Sequence, residues 1–276
     1  MSPFTLSGFI DEIAPDLQTQ LDAAQRFGLQ AVDIRSLGGT NVLDLTPAQT
    51  QEIREACQDR GLAIYSVGSP VNKVPLGEAS RSSEMAKFKV AVDRAHELGT
   101  PRIRIFTPEA PEDQHDEAWP AIRDALDEML AYAAEHGIVV MHENDWKYWG
   151  AYPANAKRMF EELAPRGLRL VFDFGNTVLL GYRPMDDWFP WALPYLESCH
   201  IKDVVAATGQ IVESGAGDGQ FVETFRYLAG QGWGGTLSLE PHLRDAGRFG
   251  GFSGAERFGL AVDALRNVLQ EAMTAS

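Results

Sequence analysis

Four residues of metal-binding type each stand at or near the end of a short apolar run: Glu143 in VVMHEN, Asp173 in LVFDFGN, His200 in SCHIKD and Glu240 in LSLEPH. Three carboxylates gathered in an apolar place repel one another and resist ionisation, a conflict that a divalent cation removes. One imidazole with three carboxylates is a mixed, mostly hard donor set. It suits Mn²⁺, Co²⁺, Fe²⁺, Zn²⁺ or Mg²⁺, whereas Ca²⁺ takes more oxygen ligands and no histidine. The expectation is one divalent ion, Mn²⁺ first, on Glu143, Asp173, His200 and Glu240. Any one of these alone reads as a helix cap, a rim ion pair or a satisfied core histidine. The argument rests on their convergence.

Convergence depends on the elements that carry them. Strand candidates run over Ser7–Ile13, Ala31–Ser36, Ala63–Ser69, Arg102–Thr107, Val139–Asn144, Leu168–Phe174, Ser198–Val204 and Thr236–Pro241. Amphipathic helical runs alternate with them: Gln18–Phe27, Thr46–Arg60, Ser83–Leu98, Glu117–His136, Ala154–Leu163, Met185–Leu196, Val222–Ala229 and Ala255–Met273. Thr46, Pro47 and Gln49 form a helix-start signature, and Gly61, Gly99 and Gly137 follow helix ends. Such alternation implies βαβ units on a parallel sheet. Eight units in 276 residues predict an α/β fold, a closed (β/α)₈ TIM barrel with residues 1–276 as a single domain. The competitor, an open doubly wound sheet, calls for GxGxxG after its first strand, and Phe9–Pro15 contains no glycine.

A barrel places its active site at the C-terminal ends of its strands. The four candidates lie at the ends of the fifth to eighth. Successive strand side chains alternate faces, so Asp173 points inward while Phe172 and Phe174 point to the helices. By the same count His200 and Lys202 share the inner face, as do Ser238, Glu240 and His242.

From GFIDEIAPD to LSLEPH the chain resembles the xylose-isomerase-like barrel superfamily of sugar and sugar-phosphate isomerases and epimerases, which includes inosose isomerase- and dehydratase-like and ketose 3-epimerase-like proteins. The carrying motifs are Glu143 on the fifth strand, FDFGN with Asp173, HIKD with His200, the GAGDG turn at Gly215–Gly219, and LSLEP with Glu240. The resemblance implies that these four residues hold one metal and that Glu143 and Glu240 also act as acid and base. The implied chemistry is removal of a proton beside a carbonyl through a metal-stabilised enediolate. Proton return on the opposite face gives epimerisation, and transfer to the neighbouring carbon gives isomerisation. One departure stands out: ketose 3-epimerases of the family carry a histidine a few residues past the strand-six Asp, and this chain has Asn176. An inosose-type dehydratase, eliminating water at the same metal, is the alternative. An apurinic-site endonuclease resembles the fold but assembles three zinc ions and grips DNA, and a net charge of −15 has the wrong sign for that. A binding protein that kept the barrel and lost catalysis would not need all four ligands.

Lys202, Arg104, Asn176, His242 and Trp146 are the candidate substrate-binding residues. Lys202 also reads as a rim ion pair, and Arg35 and Arg104 read equally as binders of a hydroxyl, carboxylate or phosphate group and as internal partners of acidic residues such as Asp33. Arg244 and the Gly-rich Arg248–Gly254 read as a lid or an ordinary loop. The aromatic loop with Trp146, Tyr148, Trp149 and Tyr152 suggests a substrate wall or an oligomer contact. His96, His115 and His136 read as structural. Cys57 and Cys199 form no CxxC or disulfide framework and read as buried thiols. With no signal-type start and no apolar stretch of membrane length, the expected setting is the cytoplasm. The expected partner is a small sugar or polyol, with no nucleic acid, no membrane and a possible homo-oligomer.

Overall fold

The computed structural model describes residues 3–243 and 254–274. Its main sheet comprises β1 (Thr5–Gly8), β2 (Ala31–Ile34), β3 (Ala63–Gly68), β4 (Arg102–Ile105), β5 (Val139–Glu143), β6 (Arg169–Asp173), β7 (Leu196–Ile201) and β8 (Thr236–Leu239). Neighbours pair in parallel, in the order β1-β8-β7-β6-β5-β4-β3-β2. β2 returns to β1 through a parallel bridge between Phe9 and Asp33, and the Ser7 hydroxyl donates to Asp33 Oδ2 at 2.6 Å. The result is a nearly closed eight-stranded barrel.

Helices surround it: α1 (Leu17–Arg26), α2 (Pro47–Asp59), α3 (Glu78–Leu98), α4 (His115–Glu135), α5 (Pro153–Leu163), α6 (Phe174–Leu179), α7 (Phe221–Gly230) and α8 (Ala255–Thr274). Thr46 and Gln49 close the capping box of α2 with Pro47 in its first turn, and Gly99 ends α3 at φ 76°. The main core is the layer between strands and helices. Phe172 on the outer face of β6 packs edge-on against Trp188 and Phe189 at 5.2 and 5.0 Å. Burying each such side chain is worth about 1.5–3 kcal/mol. Cys199, Ile201, Leu237 and Leu239 lie in the same buried layer, as the alternation requires.

Three departures from the expected elements have a local reason. The first strand is Thr5–Gly8, not Ser7–Ile13, because Ile10–Glu12 turns as a 3₁₀ helix. Ile10 and Ile13, three residues apart, are both buried, which a three-residue turn permits. The seventh strand is Leu196–Ile201, and Asp203–Val205 belongs to a separate hairpin with Gln210–Val212. The run expected as one helix over Met185–Leu196 is broken into a π turn (Pro184–Trp188), one α turn (Phe189–Ala192) and a 3₁₀ turn (Leu193–Tyr195). Pro184, Pro190 and Pro194 each lack the N–H that a continuous helix needs. Helix α6 was not expected. Among the described residues no helix is long and apolar enough to cross a membrane.

Candidate metal centre

The residue that ends each of β5 and β6, the penultimate residue of β7 and the residue just after β8 meet inside the barrel mouth. Glu143, Asp173, His200 and Glu240 each offer one ligand atom, and these atoms all lie within 4.8 Å of one another. None of the four residues is more than 7% exposed. His200 Nδ1 stands 3.2 Å from Glu143 Oε2 and 3.5 Å from Glu240 Oε2. Phe9 closes the other side of that imidazole, edge-on at 5.0 Å.

Each carboxylate has its own cation. Arg104 Nη1 lies 3.1 Å from Glu143 Oε2, Lys202 Nζ 2.9 Å from Asp173 Oδ2, and Arg35 Nη1 2.5 Å from Glu240 Oε1. Burial would raise the Glu143 carboxyl, but His200 and Arg104 outweigh it and hold it down to about 2. Burial wins at Asp173, which rises to about 6 against the pull of Lys202. Glu240 is likewise opposed by burial, yet His242, Arg35 and Lys202 keep it well below the usual range. Burial lowers the Lys202 ammonium, and Asp173 more than restores it. His142, one residue before Glu143, points the other way, and burial drives its imidazole down to about 3.

Local sequence explains how these side chains fit. Asp173 caps α6, its Oδ1 accepting Asn176 N–H at 2.7 Å, which leaves Oδ2 toward the cluster. Gly175 makes room for Lys202: a Cβ there would stand 2.9 Å from both Cγ and Cε of Lys202. The Asn176 side chain donates to Glu143 Oε1 at 3.4 Å and accepts from Lys202 Nζ at 3.1 Å. Asn144 ties β5 to β6, accepting Asp173 N–H at 2.6 Å and donating to Asp173 O at 3.0 Å.

Of the expected site residues, the structure therefore brings together Glu143, Asp173, His200 and Glu240, with Arg104, Lys202 and Asn176 touching them directly. His242 Nε2 lies 3.2 Å from Glu240 Oε1. Trp146 is half-buried with Lys147 over its ring at 5.2 Å. Two other aromatics of its loop brace the helix side, Trp149 stacking on Trp119 and Tyr152 packing on His115, both at 4.8 Å, whereas Tyr148 packs on Phe106, just past β4, at 5.5 Å. Asp33 takes its hydrogen bonds from Ser7 and Ser66, not from an arginine. Arg244 and residues 248–253 lie outside the described residues.

Sequence reasoning missed Asp11, Glu12, Asn144 and Asp203. Asp11 receives Arg35 through Nε and Nη2, both at 2.9 Å. Asp203 accepts N–H groups from Val204, Gly215, Gly217 and Gly219, which accounts for the GAGDG turn. The signals were present in FIDEI, HEN and HIKD, but the strand assignments over FIDEI and HIKD treated Asp11, Glu12 and Asp203 as strand residues.

The arrangement fits a divalent cation on three observations. Glu143 Oε2, Asp173 Oδ2 and His200 Nδ1 are buried and make no hydrogen bond of good geometry, although cations lie nearby. His200 Nδ1 stands 3.2 and 3.5 Å from Glu143 Oε2 and Glu240 Oε2, close to the roughly 3.3–3.4 Å between neighbouring ligands of a tetrahedral ion with bonds of about 2.0–2.1 Å. Among the described residues, Asp11, Glu12, Glu143, Asp173 and Glu240 face Arg35, Arg104, Lys202 and the His242 imidazole, whose pKa is raised to about 9, leaving an excess of one negative charge that favours a bound cation.

A family model described as a xylose isomerase-like TIM barrel matches residues 21–268. The chain belongs to that family. It is 26% identical over 227 residues, 79% of each chain, to the 2-epi-5-epi-valiolone 7-phosphate 2-epimerase of an Actinoplanes species. Among solved structures, a xylose isomerase domain protein from Planctomyces limnophilus matches with a TM-score of 0.75 at 20% identity, covering 98% of both chains. A xylose isomerase-like TIM barrel protein from Mycobacterium smegmatis, in complex with magnesium, matches with a TM-score of 0.69 at 18% identity over 100% and 99% of the two chains.

Proposed function

We propose that this family member is a divalent-metal-dependent epimerase or isomerase of a sugar, sugar phosphate or polyol, moving a proton on a carbon beside a carbonyl. The observation that carries the reading is the convergence of four buried metal-type ligands, with Glu143 and Glu240 both within 3.5 Å of His200 Nδ1. The epimerase named at 26% identity supports the carbohydrate class, and Mn²⁺ is our first choice among the ions that suit the donor set.

When bound, the cation acts as a Lewis acid that stabilises negative charge on the substrate oxygen as the proton leaves. The chain's own residues do the rest. Glu143 comes from β5 and Glu240 from β8, so they approach a substrate at the mouth from two sides, one taking the proton and either one returning it. Glu143 is the freer base, since its Oε1 carries only the long contact from Asn176, whereas Glu240 Oε1 is held by Arg35 and His242. Arg104 keeps Glu143 ionised, Lys202 opposes the push of burial on Asp173, and both offer N–H donors to substrate oxygens, with Asn176, His242 and Trp146 lining the approach. The two buried, unpaired thiols fit a reducing, cytoplasmic setting.

The test is metal content after purification without chelator, followed by exchange of carbon-bound hydrogen with deuterated water for a panel of ketoses and inososes. About one divalent ion per chain with exchange lost in Glu143→Gln supports the reading. Elimination of water to an enone would assign the dehydratase chemistry instead. No metal and no exchange would end it.

A further inference from the structure

Glu12 lies outside the four-ligand cluster, in the 3₁₀ turn after β1, and is only 1% exposed. Its carboxylate engages one residue twice. His242 N–H donates to Glu12 Oε2 at 3.0 Å, and His242 Nδ1 stands 3.0 Å from Glu12 Oε1. The other ring nitrogen, Nε2, stands 3.2 Å from Glu240 Oε1. His242 therefore spans the gap between Glu12 and a proposed metal ligand. Its backbone sits at φ 44°, a left-handed conformation that non-glycine residues rarely enter unless their surroundings hold them there.

A purely structural seat for the chain after β8 would need only the backbone N–H contact. The ring, on a side chain 35% exposed, would then be free to turn to water. Instead it is fixed between two carboxylates. Arg35 holds the same Oε1 of Glu240, so that oxygen is fixed by two donors and Oε2 is left facing His200 Nδ1 at 3.5 Å. Glu12, Glu240 and His242 also lie close enough to suggest a second ion. The Arg35 guanidinium already occupies that side, 2.5 Å from Glu240 and 3.6 Å from Glu12, and would repel one.

We propose that Glu12 is a positioning residue: through His242 it fixes the orientation of Glu240, so that one carboxylate oxygen is committed to the metal position. This rests on the metal-dependent reading above. Partners of this kind, one step behind a ligand, typically change metal affinity by about 10–100-fold when removed.

The test uses the full chain as wild type, Glu12→Ala, Glu12→Gln, His242→Gly and the Glu12→Ala/His242→Gly double variant, with Mn²⁺ as the probe. Free Mn²⁺ is counted by electron paramagnetic resonance, and the His242 ring is followed by ¹⁵N NMR of metal-free protein. We expect one Mn²⁺ per wild-type chain, binding about 10–100-fold weaker in Glu12→Ala, and partial recovery in Glu12→Gln, which keeps an acceptor for the backbone N–H. The double variant should bind no more weakly than the weaker single one, because both act through one contact. The His242 ring signal should move toward that of free imidazole in Glu12→Ala. Unchanged Mn²⁺ affinity, additive losses or an unmoved ring signal would overturn the proposal. So would two Mn²⁺ on the wild type with one lost in Glu12→Ala, since Glu12 would then be a ligand. If the wild type takes no divalent ion, the functional reading fails separately, and the ring signal alone decides whether Glu12 holds His242. Should Glu12→Ala not fold, Glu12→Gln and His242→Gly carry the comparison.

Discussion

Replacing Asp203 tests how the loop beside the candidate site is held. Its Oδ2 accepts Gly215 N–H at 2.8 Å and Gly217 N–H at 3.0 Å, both partly exposed. Its Oδ1 accepts Gly219 N–H at 3.0 Å and Val204 N–H at 2.9 Å, both buried. In Asp203→Asn the amide can keep its oxygen on the buried pair and turn its NH₂ toward the exposed pair, whose N–H groups then find water. Two partly solvated bonds at about 1 kcal/mol each predict a loss of roughly 2 kcal/mol. Asp203→Ala also orphans the two buried N–H groups, at about 1–3 kcal/mol each, for a total of roughly 4–8 kcal/mol. At about 2–4 °C per kcal/mol for a chain of this size, Tm should fall by roughly 4–8 °C in the first variant and about twice that or more in the second. Thermal unfolding followed by circular dichroism, with urea titration as a check, measures both. Equal losses in the two variants, or a loss under about 1 kcal/mol in Asp203→Ala, would refute the assignment of the buried pair to this carboxylate.

Gly175→Ala should push Lys202 off Asp173, because the new methyl meets the stem of Lys202 and, at 3.0 Å, its backbone oxygen. We expect an overpacking loss of about 1–3 kcal/mol, and a variant as stable as wild type would contradict the packing argument. The thiol of Cys57 is pushed up to about 12 by burial, and that of Cys199 is raised well above its ordinary value for the same reason. A raised value means a neutral thiol, with a thiolate fraction at pH 8 of about 1 in 10⁴ for Cys57, so neither should react with a disulfide reagent until the chain unfolds. Rapid release of one equivalent from folded protein would count against it. Trp149→Ala should cost about 3–5 kcal/mol of stability through the lost stack on Trp119 while leaving Mn²⁺ affinity near wild type, and a selective loss of metal binding would return this loop to the site.

The barrel was legible because its signals are periodic and repeated. Alternating faces placed Phe172 outward and Asp173 inward, and the structure keeps that order along β5 to β8. What failed was punctuation. Ile10 and Ile13 are apolar and close together, so FIDEI reads as strand, yet buried Asp11 and Glu12 need donors that a strand face would not supply. They find these only when the chain turns toward Arg35 and His242. HIKD reads as continuous strand for the same reason, and only the four N–H groups gathered by Asp203 show that the chain has left the barrel.

The candidate site was legible as ligands and illegible as a charge network, for a physical reason. Ligands are recognised by residue type at one strand depth, which is local information. Compensating cations are recognised only by distance across the barrel: Arg35 on the loop after β2 reaches Glu240 beyond β8, and Arg104 on β4 reaches Glu143 on β5. Sequence left both arginines divided between substrate binding and internal pairing. The geometry commits them to internal pairs in the metal-free chain, and that has a consequence for binding. Because each carboxylate already has a cation, a dication gains less from any one ligand than a bare acidic cluster would give it. It is favoured by the negative charge that remains over the whole mouth. Removing Arg104 or Lys202 should therefore strengthen the attraction for the metal while loosening the metal-free fold. Substitutions at the three carboxylate ligands should weaken that attraction and also loosen the metal-free fold, because each strands a cation.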